Sequence, residues 1–134
     1  MPVALGVDYG EKRIGLAISD GLMMTANPLD TINRTTPQRD IDQIVKVIRE
    51  REVDVVVVGL PLNMDGSEGP SAEKARALAD EIRQAAQVNV EMWDERLSSK
   101  AAEAVLIQAD LTRKKRKGKV DRVAAAWFLQ SYLD

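Results

Sequence analysis

Four carboxylates and one run of cations hold most of the chemistry this chain can do. Asp8 ends the apolar run Ala4-Leu-Gly-Val and is followed by Tyr9 and Gly10. Asp94 and Glu95 follow the run Val88 to Trp93, and Asp121 comes just after a basic stretch. That stretch is Arg113, Lys114, Lys115, Arg116, Lys117 and Lys119, six cations in seven positions. Lys12 and Arg13 follow Asp8 closely. The chain has no His and no Cys. This removes thiol nucleophiles, thiolate metal sites, disulfides and every Ser-His or Cys-His arrangement. Catalysis would fall to carboxylates, lysine, tyrosine, backbone amides or a metal held by oxygen ligands. An acid on an otherwise apolar strand needs a cation nearby or is driven neutral. Asp8 therefore reads either as part of a metal or phosphate site or as a strand-end residue bonding the turn amides after it.

The elements that must position these residues follow from pattern. Ala4 to Asp8 predicts a strand, Gly10 to Arg13 a tight turn, and Ile14 to Ile18 an antiparallel return strand. Alternation puts Gly6 and Asp8 on one face of the first strand, and Leu5 and Val7 on the other. A third strand is expected over 24–32, at an edge or interrupted because of Asn27-Pro28. Thr35-Thr36-Pro37 signals a helix start, with Thr as N-cap and Pro at the first helical position. Ile41, Ile44, Val45 and Ile48 recur at helical spacing for about four turns. Val53 to Gly59, with four consecutive valines, predicts a strand buried on both faces, hence parallel and central.

Residues 59–71 hold three Gly and two Pro and predict a functional loop on the substrate side. Ser71 is expected to cap a helix over 72–86 whose stripe is Ala72, Ala75, Ala79, Ile82 and Ala86. A strand over 88–93 follows. A further helix, capped by Ser98 or Ser99, would carry Ala101, Val105 and Ala109. After a polar linker over 110–119, a last helix over 120–133 brings Ala124, Trp127, Phe128 and Leu129 to the core. Trp93 and Trp127 sit at apolar positions and read as core rather than as base-stacking platforms. The order is βββαβαβαα, a mixed α/β sheet with helices on both faces. Ligands of open sheets bind outside the carboxyl ends of parallel strands, and Asp8, Asp94, Glu95 and Asp121 all fall toward that edge.

With 134 residues and no internal repeat, one domain over 1–134 is expected. A balance of 45% hydrophobic and 30% charged residues fits a soluble globular protein. There is no signal-peptide pattern and no apolar run near membrane-spanning length, so a cytoplasmic location is expected. The net charge of -2 gives no global attraction to nucleic acid, so only the local basic clusters can supply it.

Four motifs stand in order along the chain: Asp8-Tyr-Gly10 with Lys12 to Ala17, Gly59-Leu-Pro-Leu-Asn-Met-Asp-Gly66, Asp94-Glu-Arg-Leu-Ser-Ser99, and Lys119-Val-Asp121 with Ala124-Ala-Ala126. Together they resemble the motifs of the YqgF (RuvX) family. Each alone is weakly specific; the set spans residues 4–133. The resemblance implies an RNase H-like fold, with the first three strands an antiparallel meander and the fourth and fifth parallel. It also implies a nuclease that processes the 5′ end of precursor 16S ribosomal RNA, or, in the older description, a Holliday junction resolvase. By the same resemblance Asp8, Glu95 and Asp121 are the metal-binding catalytic carboxylates, with Glu95 chosen over Asp94. Oxygen ligands suit Mg²⁺ or Mn²⁺, two ions roughly 3.5–4 Å apart serving in-line phosphoryl displacement.

The basic run Arg113 to Lys119, together with Lys12 and Arg13, is expected to touch phosphates of precursor ribosomal RNA or junction DNA. Solvated surface cations are the plainer alternative. Asp121 at a helix start also suits the helix dipole without any metal, and Glu95 beside Arg96 could form a surface ion pair. Ribosome association and a monomer or homodimer are compatible with this reading. A non-catalytic RNA- or ribosome-binding module is a second class. A nucleotide-binding protein of the actin and sugar-kinase type is a third, although it needs two lobes and this chain holds one.

Overall fold

The computed structural model describes residues 2–21, 25–61, 65–94, 125–126 and 129–133 of the 134. Glu95, Asp121, the basic run from Arg113 to Lys119, Trp127 and the helix expected after Ser98 lie outside the described residues.

Three strands open the chain: β1 (Ala4–Tyr9), β2 (Arg13–Ser19) and β3 (Ala26–Asn33). They form the expected antiparallel meander, with Asp8 opposite Gly15 and Leu16 opposite Asp30. Helix α1 (Pro37–Glu50) crosses over to β4 (Val55–Leu60), α2 (Pro70–Ala86) follows, and β5 (Asn89–Asp94) completes the sheet. The strand order is β3-β2-β1-β4-β5. Both β1–β4 and β4–β5 are parallel. The valines of β4 are central because strands flank them on both sides and side chains cover both faces. β3 lies at the edge, and its register with β2 shifts between Leu16 and Ala17, opposite Asp30 and Pro28. Pro28 has no N–H to give a ladder, so an edge position is the one it tolerates.

Alternation along the strands makes two unlike faces. On one, Leu5, Val7, Ile14, Leu16, Val56 and Val58 pack with Ile41, Ile44 and Ile48 of α1 and with Leu78 and Ile82 of α2. On the other, Ala4, Ala17 and Val57 pack with Ala125, Ala126 and Leu129 from helical residues near the C-terminus. Helices thus cover both faces, as expected. A Cβ placed on Gly6 would lie 3.1 Å from both the Ala125 carbonyl oxygen and Leu129 Cβ. The strand must be bare there for the helical segment to approach.

Two helix details differ from expectation. The second helix begins at Pro70, not after Ser71, and its N-cap is Gly69 with no side-chain cap bond. Pro70 takes the first helical turn because its missing N–H is an orphan there anyway. Leu78 joins the buried stripe, whereas Ala86 only borders the core. At α1, Thr36 caps as expected, its side chain accepting from the Arg39 N–H at 3.3 Å.

Candidate active site

Asp8 sits half-buried at the carboxyl end of β1, the strand at the middle of the sheet. It follows Gly6 by two residues and so shares its face, the one covered by Ala125 and Leu129. Its antiparallel partner is Gly15, which brings no side chain into the space beside the carboxylate. Asp8 also has its own polar or electrostatic partners.

Register places the end of β5 at the same sheet edge. Trp93 pairs with Gly59 and Asp94 with Leu60. Trp93 packs in the small-residue cluster and meets Tyr132 edge-on at 5.6 Å between ring centroids. Trp93 is therefore on the Asp8 face, partly buried and core-like, as its apolar position suggested. Asp94 alternates onto the opposite face, with Met92, which packs against the aliphatic core. The Trp93 indole N–H is buried with no hydrogen-bond partner among the described residues.

Direction along the helical segment near the C-terminus can be read from its contacts. Gln130 accepts a 2.8 Å bond from the Ala26 N–H. Ala26 pairs with Ser19, whose hydroxyl oxygen accepts from the Ala4 N–H at 2.7 Å. Later residues of the segment thus lie near the start of β1, and Ala125 lies over Gly6. Tyr132, on the β5 side, is held by its hydroxyl donating to the Glu91 carboxylate. That bond, with burial and the nearby negative charge, pushes its pKa up to about 12.

The turn after Asp8 is tightly built. The Gly10 N–H donates to the Arg13 carbonyl at 2.9 Å. A Cβ on Gly10 would come within 2.8 Å of that same oxygen, so the turn requires glycine. Lys12 is exposed and Arg13 half-buried. The Arg34 guanidinium donates to the Gly10 carbonyl at 3.0 Å and the Glu11 carbonyl at 2.9 Å. It lies 4.3 Å from the Tyr9 ring centroid. Behind it is Asp40, only 2% exposed, at 3.9 Å from Arg34 Nε. Asp40 accepts from the Thr35 N–H at 3.0 Å.

Sequence reasoning passed over Arg34, Tyr9 and Asp40. The only available signal was an acid in the first helical turn able to reach back past the cap, a near relative of the capping box. A recess of about 190 Å³ lined by Tyr9, Pro37, Asp40, Lys74, Leu78 and Glu81 opens on the α1–α2 side, not on the Asp8 face.

Of the expected site residues, the structure brings Lys12 and Arg13 into the turn next to Asp8. Glu95, Asp121, Arg113, Lys114, Lys115, Arg116, Lys117 and Lys119 fall outside the described residues. Among the described residues no three acidic, His or Cys side chains gather as a metal cluster. The loop before α2 is pinned at its far end: Arg76 makes a two-point bond to Glu68 at 2.6 and 2.7 Å. This holds the exposed Glu68 carboxyl below the usual carboxylate range. No helix of the described residues is long and apolar enough to cross a membrane.

Known proteins share both the sequence and the fold. Proteins of Halothermothrix orenii and Myxococcus xanthus, each named "Putative pre-16S rRNA nuclease", are 52% and 50% identical over 130 residues. Both alignments cover 97% of this chain, and 93% and 86% of those proteins. Among solved structures, Thermus thermophilus RuvC in complex with a Holliday junction substrate superposes with a TM-score of 0.64 at 16% identity, covering 99% of this chain and 94% of that one. The Fowlpox virus resolvase bound to Holliday junction DNA gives 0.59 at 16% identity, covering 98% and 96%. The sheet is thus the RNase H-like sheet of the resolvases. The RuvX family pattern, described as Holliday junction resolvase, matches residues 2–134, and the chain belongs to that family.

Proposed function

We propose that this chain is a metal-dependent nuclease that cleaves phosphodiester bonds at the 5′ end of precursor 16S ribosomal RNA. The observation that carries the reading is Asp8: a carboxylate at the carboxyl end of the central strand, on the face that the helical segment approaches through Gly6. The names of the relatives at about half identity support the substrate.

The residues fit a hard divalent cation. Imidazole and thiolate ligands are absent from the whole chain, which suits Mg²⁺ or Mn²⁺. Asp8, Glu95 and Asp121 would hold the ion or pair of ions. Alternation turns Asp94 away from Asp8, which favours Glu95 as the ligand from that end of the sheet. Asp121 precedes Ala125 by four residues in sequence, and the described residues from Ala125 onward run from over Gly6 toward the start of β1. That direction supports Asp121 as the partner at the Asp8 end. When bound, such ions supply Lewis-acid polarisation of the phosphoryl oxygens. The chain's own part is to fix the carboxylates from separate elements. Lys12, Arg13 and the run Arg113 to Lys119 neutralise substrate phosphates, which gives affinity without sequence specificity.

The resolvase fold and the family's description favour a second substrate, junction DNA. The test is side-by-side cleavage of a precursor 16S fragment and a four-way DNA junction with Mg²⁺, Mn²⁺ or EDTA. We expect metal-dependent RNA cleavage that falls at least ~100-fold in Asp8→Asn, at or beyond the upper end of what losing an outer-sphere partner costs a metal site. Preferential cutting of the junction would select the second substrate. Folded protein that cuts neither would defeat the nuclease reading.

A further inference from the structure

We propose that Arg34 is the positioning residue of the site: it fixes the turn that presents Lys12 and Arg13 to substrate phosphates. The inference rests on the nuclease reading for its substrate and on geometry for the rest. Arg34 holds three successive carbonyls of that turn. Its guanidinium takes Gly10 and Glu11 at 3.0 and 2.9 Å, and its own backbone N–H takes Lys12 at 3.0 Å. Both carbonyls are met by one guanidinium nitrogen, Nη1, while Nε of the same plane faces Asp40 at 3.9 Å and the plane lies over an aromatic ring. A lysine ammonium, a single nitrogen with no plane, cannot meet the carbonyls, the carboxylate and the ring in one pose. Tyr9, 4.3 Å below the guanidinium, supplies that ring.

The fork is anchored from behind. Asp40 takes the Thr35 N–H at 3.0 Å and sends its own N–H to the Thr36 carbonyl at 3.0 Å, so it is built into the first turn of α1. Its side chain is 3% exposed and that of Arg34 25%. The turn after Asp8 is therefore tied to a helix that packs on the opposite face of the sheet. A hairpin turn held only by the Gly10–Arg13 bond would let the exposed Lys12 wander. Clamped along three carbonyls, it offers its two cations from a fixed backbone, and less order has to be imposed when a phosphate arrives.

Arg34→Ala and Arg34→Lys test this, with amide exchange and RNA binding in EDTA as readouts. Both variants should exchange the Gly10 amide at least about tenfold faster, with the Val57 amide of β4 unchanged. Both should bind the precursor RNA fragment about five- to tenfold more weakly, with a salt slope shallower by about one phosphate contact. In cleavage, KM should rise by a similar factor with kcat within about twofold. Wild-type behaviour in Arg34→Lys would overturn the proposal, because charge alone would then suffice. So would an unchanged Gly10 amide in Arg34→Ala, or faster exchange spreading into β4. If wild-type protein bound no RNA while the Gly10 amide responded as expected, the nuclease reading would fail and the turn-fixing role would stand.

Discussion

The two faces of the sheet are made by alternate residues of the same strands, yet they do different work. The face toward α1 and α2 is aliphatic and thick: Leu5, Val7, Leu16, Val56 and Val58 meet Ile41, Ile44, Ile48, Leu78 and Ile82. The face toward the helical segment near the C-terminus is thin: Ala4, Gly6 and Ala17 meet Ala125, Ala126 and Leu129. Burial of large side chains stabilises in proportion to area removed from water. Small side chains bury little, but they let a helix backbone come close to a strand backbone. Asp8 is on the thin face. The comparison teaches that stability is concentrated on one side of the sheet and close placement on the other.

The largest stability effect should therefore come from the thick face. Ile44 of α1 is fully buried against the sheet, and Ile44→Ala should destabilise by ~2–5 kcal/mol through lost transfer energy and a residual cavity. Denaturant midpoints at an unchanged m-value would show it, and cleavage assayed where the variant is still folded should be nearly unaffected. A loss below about 1 kcal/mol would break the division of labour, since the site could then collapse.

Gly6→Ala probes the thin face. The new methyl would stand 3.1 Å from Leu129 Cβ and the Ala125 carbonyl. We expect ~1–3 kcal/mol of overpacking cost, smaller than for Ile44→Ala, but a larger fall in cleavage because the helical segment is pushed off. Equal cleavage loss in both variants would mean that activity simply tracks stability.

The smallest effect concerns the far side of the thin face. The Tyr132 hydroxyl donates to Glu91, and its pKa is pushed up to about 12. A raised folded value means that this stabilisation is fully present below the unfolded tyrosine pKa of about 10 and is lost as pH rises through the folded value. Phenolate absorbance should show Tyr132 titrating earlier in Glu91→Gln. An unchanged titration would assign the shift to burial instead of the bond. Arg34→Ala sets a third point of comparison, because it alters the turn between the faces without touching either core.

Much of the sheet could be read from residue order. The valine run of β4 could only be a strand covered on both sides, and Pro28 kept β3 at an edge. Thr36-Pro37 marked the start of α1 because cap and first-turn chemistry are local. The start of α2 was misplaced by one signal overriding another: Pro70 enters the helix and leaves Gly69 as its cap. In the site, Asp8, Lys12 and Arg13 were visible by type and position. Arg34 and Asp40 were not, since a bond from Arg34 to Gly10 joins residues 24 apart in sequence.

By itself the sequence determined the element order through β5, the alternation that sets Asp8 apart from Leu5 and Val7, and a donor set without imidazole or thiolate. These follow from local propensity, strand period and the absence of His and Cys. The tertiary structure alone decided which helix covers which face, that Asp94 turns away from Asp8, and that Arg34 reaches the turn. Each depends on register and on contacts between distant segments, which no local pattern encodes.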